Sequence, residues 1–145
     1  MTTLVDYDPK TEPKIEGSFR HAIRSAEGLR TIVFDVGGAI PLHAELEIRK
    51  LNLTIAGQAA PGGITCWGFP VEVSGAKNVI LRHMRFRTGD FHARPVPVAA
   101  GRRPARAKPR KLNPASANAM YVGNDSERVI LDHVSAAGAS TKSFP

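Results

Sequence analysis

Arg82, Arg85 and Arg87, followed by the dipeptide Asp132-His133, are the residues whose types and spacing best suit chemistry. A guanidinium pairs bidentately with a carboxylate, so arginines clustered on a strand form a receiving surface for an anionic polymer. Alternation also describes a solvated outer face, because every second residue of a strand points to one side. Asp132-His133 joins a hard oxygen donor to an imidazole, a pair that serves as metal ligands or as a hydrogen-bonded corner. Asp90, after Gly89, suits a groove-facing carboxylate and a simple turn equally well. His21, His43, His83, His92 and His133 share no H-x-x-x-H spacing, which argues against zinc. Cys66 sits beside Trp67 with no base partner in view, and a single cysteine excludes a disulfide framework and a cysteine-rich metal site.

The net charge of +7 is local. Arg94, Arg102, Arg103, Arg106, Lys108, Arg110 and Lys111 fall in one stretch without an acidic residue. Removing these seven from the 20 Lys and Arg leaves the remainder neutral against its 13 Asp and Glu. The stretch belongs to a longer segment, Thr88 to Ser116, carrying Pro95, Pro97, Pro104, Pro109 and Pro114, which reads as an excursion from the fold. Its positive field can steer an acidic polymer or bind nucleic acid non-specifically. Arg94 to Lys111 has no aromatic residue on which bases would stack, so specific nucleic-acid recognition is not expected. A solvated loop accounts for it as well.

The elements that must position these residues are short. The chain has 145 residues, about one domain, with 42% hydrophobic and 6% aromatic residues, 13 Gly and 11 Pro. That balance favours many brief strands joined by turns. Met1 to Ile15 reads as an irregular lead-in interrupted by Pro9 and Pro13. Ser18 then caps a helix predicted over Phe19–Glu27 and closed by Gly28. Phe19, Ala22, Ile23 and Ala26 form its apolar stripe, while Arg20, Arg24 and Glu27 face away. Such a helix suits the open end of a sheet. Thr31 to Val36 is nearly continuously apolar and reads as a strand buried on both faces or in a parallel stack. Ala39-Ile40, Leu46–Ile48, Leu53–Ile55, Asn78–Arg87, Ala119–Val122 and Arg128–Leu131 complete the strand signals. No apolar run approaches the ~20 residues that span a bilayer.

Internal comparison organises these signals. Placing Leu53, Val79 and Val129 in register also aligns Ile55, Leu81 and Leu131, and brings Arg82-His83 onto Asp132-His133. Arg82 over Asp132 allows a structural ion pair. With Ile32 placed against Leu53, the repeats are in the low twenties with one double-length gap, which holds either one enlarged course or two. This is the pattern of a solenoid of stacked parallel strands. One weakly patterned segment follows Asp132-His133 with no visible cap, which reads as a truncated coil.

The motifs Gly17-Ser18-Phe19-Arg20-x-Ala22-Ile23, Thr31-Ile32-Val33-Phe34-x-Val36-Gly37-Gly38-x-Ile40, Leu53-Thr54-Ile55-Ala56-Gly57-Gln58-x-Ala60-Pro61-Gly62-Gly63, Asn78-Val79-Ile80-x-Arg82 and Val129-Ile130-x-Asp132-His133 resemble the pectate lyase-like polysaccharide lyases. The likeness runs from about Gly17 to Ser135 outside the basic excursion. It implies the N-terminal part of an all-β, right-handed parallel β-helix with a short capping helix. The expected chain is monomeric and secreted, although Met1 to Gly17 contains no apolar signal sequence. The implied activity is calcium-dependent β-elimination on pectate, an acidic polysaccharide, with an arginine taking the proton alpha to the carboxylate. A hard cation with oxygen ligands offsets the charge that develops there. The resemblance puts a metal ligand at Asn118, where the family has an aspartate; Asp132 is the second candidate ligand and Arg82, Arg85 and Arg87 the candidate substrate contacts on their own chemistry. The family's catalytic arginine and remaining acidic ligands lie beyond Asp132-His133, where Ser135 to Lys142 does not repeat the pattern. The expectation is therefore a lyase scaffold lacking its full catalytic set. The alternatives are a carbohydrate-binding fragment without catalysis, and a polyanion binder acting through the basic loop.

Overall fold

Phe19 and Ile23, both 1% exposed, anchor a one-and-a-half-turn helix on the first course of a coil of parallel strands. The computed structural model describes residues 1–88, 118–123 and 125–138. Asp90 and the basic residues from Arg94 to Lys111 lie outside them.

Helix α1 spans Phe19–Arg24. The strands are β1 Arg30–Ile32, β2 Gly38–Pro41, β3 Leu46–Ile48, β4 Leu51–Ala56, β5 Ile64–Trp67, β6 Val71–Ser74, β7 Lys77–Arg82, β8 Met84–Arg87, β9 Met120–Gly123, β10 Glu127–Asp132 and β11 Ser135–Ala137. They form three sheets, ordered β1-β4-β7-β10, β2-β5-β8-β11 and β3-β6-β9. Every pairing is parallel and joins strands one course apart. This is a parallel β-helix, each course passing through the three sheets in turn.

The register explains the sequence repeat. Leu53 faces Val79, and Val79 faces Val129. The long gap therefore holds a single course, β7, β8 and β9, enlarged between Arg87 and Met120. The first course corrects the sequence alignment: Ile32 pairs with Ile55, and Arg30 stands opposite Leu53. A two-residue shift leaves every side chain on the same face, so hydrophobic pattern alone does not reveal it.

Inward positions carry the core. Leu46, Ile48, Leu53, Ile55, Ile64, Val71, Leu81, Met84 and Phe86 are fully buried. Each such side chain removed from water contributes about 1.5–3 kcal/mol. Of the two readings of the apolar run at Thr31–Val36, the parallel stack holds, since β1 pairs in parallel with β4, and burial on both faces does not. Its strand stops at Ile32, with Ile32 and Phe34 buried while Thr31 and Val33 are exposed. A coil wall has only one dry face, so continuous hydrophobicity does not mean burial on both sides here. The chain turns at Gly37, where a Cβ would lie 1.7 Å from the Pro61 carbonyl oxygen. Gly38 N donates to Gly63 O at 2.9 Å, so the two glycine-rich turns stack directly.

Helix α1 is also shorter than the predicted Phe19–Glu27. Ser18 Oγ accepts from His21 N at 3.2 Å as the N-cap, and the chain leaves the helix at Ser25. Ala26 N bonds Ile23 O at 3.2 Å, a tightened last turn that still buries Ala26. Arg20, expected to face solvent, is 2% exposed. The lead-in folds over it, and Asp6, 1% exposed, meets its guanidinium. A helical wheel cannot register this, because the covering segment comes from outside the helix.

Candidate functional site

One residue in left-handed conformation turns each of two neighbouring courses from the first sheet into the second. His83, φ 53°, links β7 to β8, and His133, φ 52°, links β10 to β11. Such values are uncommon for residues other than glycine, with histidine, asparagine and aspartate among the tolerant ones. Because Arg82 pairs with Asp132 in register, the two imidazoles fall one above the other. Their centroids are 4.6 Å apart at an interplanar angle of 11°, close to the spacing between strands. His83 N donates to the Asp132 carbonyl at 2.9 Å and locks the corner. The course before has Gly57 at this level, where a Cβ would lie 2.5 Å from His83 O. Two histidines thus stack above a bare glycine floor.

Asp132 sits beside the pair. Arg82 donates from Nε and Nη2 to its Oδ2, both at 2.7 Å, and His133 Nδ1 lies 2.5 Å from Oδ1. The Arg82 hydrogen bond, then that of His133, hold the Asp132 carboxyl below its usual range. One ligand atom from each of His83, Asp132 and His133 lies within 4.8 Å of the others. Spacing along the chain missed this group; the register that aligned Arg82-His83 with Asp132-His133 was the signal that could have found it.

Comparison with known proteins agrees with the coil. No family model matches the chain. A probable pectate lyase C of Aspergillus flavus is 33% identical over 130 residues, which are 89% of this chain and 25% of that protein. A probable pectate lyase C of Aspergillus terreus is 41% identical over 75 residues, 51% of this chain and 17% of the relative. That of Emericella nidulans is 43% identical over 75 residues, again 17% of its length. This chain is pectate lyase-like in sequence and in fold. It spans a quarter or less of the length of these curated relatives.

In this pectate lyase-like chain the three expected substrate arginines do not form one row. The turn at His83 separates Arg82, in the first sheet, from Arg85 and Arg87 in the second. Arg82 is committed to Asp132. Arg87 is half-buried and fastened to the next course, with Nη1 donating to Phe86 O at 2.8 Å and to Ser135 O at 2.9 Å, and Nη2 to Ser135 Oγ at 2.8 Å. Arg85 is exposed and lies over Gly63, where a Cβ would come within 2.8 Å of Nη1. Among the described residues no carboxylate pairs with it.

The expected metal ligands are also dispersed. Asn118 is exposed, two residues before Met120 at the start of β9 in the third sheet, whereas Asp132 ends β10 in the first. A calcium ion takes six to eight oxygen ligands. At this corner the described side chains offer one carboxylate, already accepting from a guanidinium and an imidazole, and two ring nitrogens. That donor set does not fit calcium. Cys66 is buried in the core, and desolvation pushes its thiol far up, so it carries no nucleophilic thiolate.

Proposed function

We propose that this chain acts on an acidic, uronate-bearing polysaccharide as part of a secreted pectate lyase-like protein. The observation that carries the reading is the likeness to a probable pectate lyase C over 89% of the chain, on a matching coil of parallel strands. Arg85 is the described residue best suited to receive a uronate carboxylate, being exposed and without a carboxylate partner among the described residues. β-Elimination of pectate with calcium is the reaction proposed for the protein as a whole. No proton transfer is assigned to a described residue, and no step is drawn through calcium at Asp132, whose partners do not suit it.

A second reading, recognition of the polysaccharide without cleavage, draws support from Asp132 being bound to Arg82 rather than open to an ion. One experiment separates the two. The purified chain is incubated with polygalacturonate in calcium or in chelator, and unsaturated ends are followed by ultraviolet absorbance while retention on immobilised pectate is measured in parallel. Calcium-dependent product supports elimination. Retention without product leaves recognition alone, with Arg85→Gln expected to weaken it about two- to five-fold, the range of an exposed ion pair. Retention no stronger than on heparin and DNA, lost equally with salt, overturns both in favour of non-specific polyanion binding through the basic stretch.

A further inference from the structure

We propose that His83 and His133, with Asp132 hydrogen-bonded behind His133, form a binding site for a borderline divalent transition metal, of the zinc, cobalt or nickel class. The inference stands apart from the polysaccharide reading, since it rests on the donors themselves.

The coil supplies pre-organisation. Both histidines occupy the same left-handed position at the corner with nearly the same φ, and their rings are 11° from parallel. Equivalent backbones one strand apart place equivalent ring atoms side by side, from where a tilt of the two rings converges their lone pairs on one ion. The corner is held by parallel pairing from Glu127 to Asp132 against Lys77 to Arg82 and by the His83 N to Asp132 O bond. Ligands fifty residues apart in the chain are thus adjacent in space.

The chemistry of the donors selects the metal. Asp132 Oδ1 lies 2.5 Å from His133 Nδ1. A carboxylate there keeps the proton on Nδ1 and leaves the Nε2 lone pair outward, the arrangement found behind metal-bound histidine. Arg82 occupies the other oxygen of Asp132 and keeps it ionised and oriented. Two imidazole nitrogens suit zinc, cobalt or nickel, with water completing the shell, whereas calcium and magnesium need all-oxygen shells. One nitrogen from each histidine and an oxygen of Asp132 lie within 4.8 Å of one another, and both histidines are exposed. Bonds of about 2.0–2.1 Å from both nitrogens to one ion require the two exposed rings to tilt toward each other from their 4.6 Å stacking. The Arg82 guanidinium nearby weakens the attraction, so affinity should be moderate and the remaining positions open to water.

The test is calorimetric titration of the full chain with zinc and with cobalt(II), with calcium as a control, and cobalt absorbance as a second readout. His83→Asn and His133→Asn are the informative variants, because asparagine tolerates the left-handed turn and keeps the coil intact. Circular dichroism verifies that they fold. The expected result is one equivalent of zinc or cobalt, no competition by excess calcium, and at least ten-fold weaker binding in either variant. His43→Asn, altering the separate His43–Glu12 pair, should leave binding unchanged. Absence of zinc and cobalt binding, or binding that folded His83→Asn and His133→Asn chains retain in full, overturns the site.

Discussion

Arg20 and Asp6 form a bidentate ion pair inside the molecule: Nε meets Oδ1 at 2.8 Å and Nη2 meets Oδ2 at 2.7 Å, with both side chains excluded from water. The remaining donors of Arg20 reach the carbonyls of Ala44 at 2.6 Å and Glu45 at 2.8 Å, and Asp6 Oδ2 also accepts from His43 N at 2.9 Å. The pair therefore ties the lead-in, the helix and the turn between β2 and β3 into one cap. Removing one partner strands a buried charge, and Asp6→Ala should cost about 3–5 kcal/mol. Adding Arg20→Leu to that variant should restore part of the loss, since no charge is then left buried, although the Ala44 and Glu45 carbonyls and His43 N still lose these partners. Urea denaturation midpoints check both. An Asp6→Ala shift no larger than that of the exposed control Glu16→Ala would show that the cap does not depend on the pair.

The contrast between what the residues disclosed and what they concealed has a physical basis. Leu53, Val79 and Val129 were legible because inward side chains repeat with each course, and the observed pairing matches. The first course was misaligned because Ile32 opposite Leu53 and Ile32 opposite Ile55 give the same inward pattern. Arg20 was misread because its partner, Asp6, lies in a segment with no periodicity of its own. The stacking of His83 on His133 was implicit in the aligned corner pairs. Metal-site spacings, however, are rules for helices and loops, and a solenoid sets its own. The extended ladder Asn52, Asn78, Arg128 was missed as well, although each residue directly precedes one of the aligned inward positions.

The Arg82–Asp132 pair sets a pH dependence of definite sign. Arg82 foremost, and His133 after it, lower the Asp132 carboxyl below its ordinary 3.8. A carboxylate whose folded value is depressed adds stability that is present above the ordinary value and lost as pH falls through the folded one. The corner should therefore hold at neutral pH and loosen only in acid below the normal carboxylate range. Carbon NMR titration of the Asp132 carboxyl should give a depressed midpoint that rises in Arg82→Gln. Added salt should narrow the difference, because Arg82 is partly exposed. Equal midpoints in the two chains at low salt would mean that the pair does not persist in solution.

Gly57 should be the glycine at which the histidine corner is most sensitive. A Cβ there would lie 2.5 Å from His83 O and 2.6 Å from Arg82 O, both backbone atoms that cannot swing aside. Gly62, φ 75°, has nothing within 4 Å of its Cβ position, so Gly62→Ala meets backbone strain alone, about 1–2 kcal/mol. Gly57→Ala must move the turn itself and should cost about 3 kcal/mol, near the upper end for single substitutions. It should also displace the His83 ring resonances, which Gly62→Ala leaves in place. Equal cost with unmoved His83 signals would contradict the close stacking of Gly57 under this corner.

The ladder at the start of β4, β7 and β10 predicts a change in the favourable direction. Asn52 and Asn78 both have φ 56°, and Asn78 Nδ2 donates to Asn52 Oδ1 at 2.7 Å. Arg128, φ 53°, takes the third place and donates from Nε to Asn78 Oδ1. The left-handed region is costly for a long side chain and readily visited by asparagine, whose short amide bonds locally. Arg128→Asn can keep a donor on Asn78 Oδ1 in the geometry that Asn78 already uses toward Asn52, while relieving the backbone and freeing a long side chain from order. It should stabilise the chain by about 1 kcal/mol, the scale of the left-handed penalty. For a domain of this size that raises Tm by roughly 3 °C. Thermal unfolding followed by circular dichroism measures it. A fall in Tm would show that the Arg128 guanidinium contributes more at this corner than the asparagine ladder it interrupts.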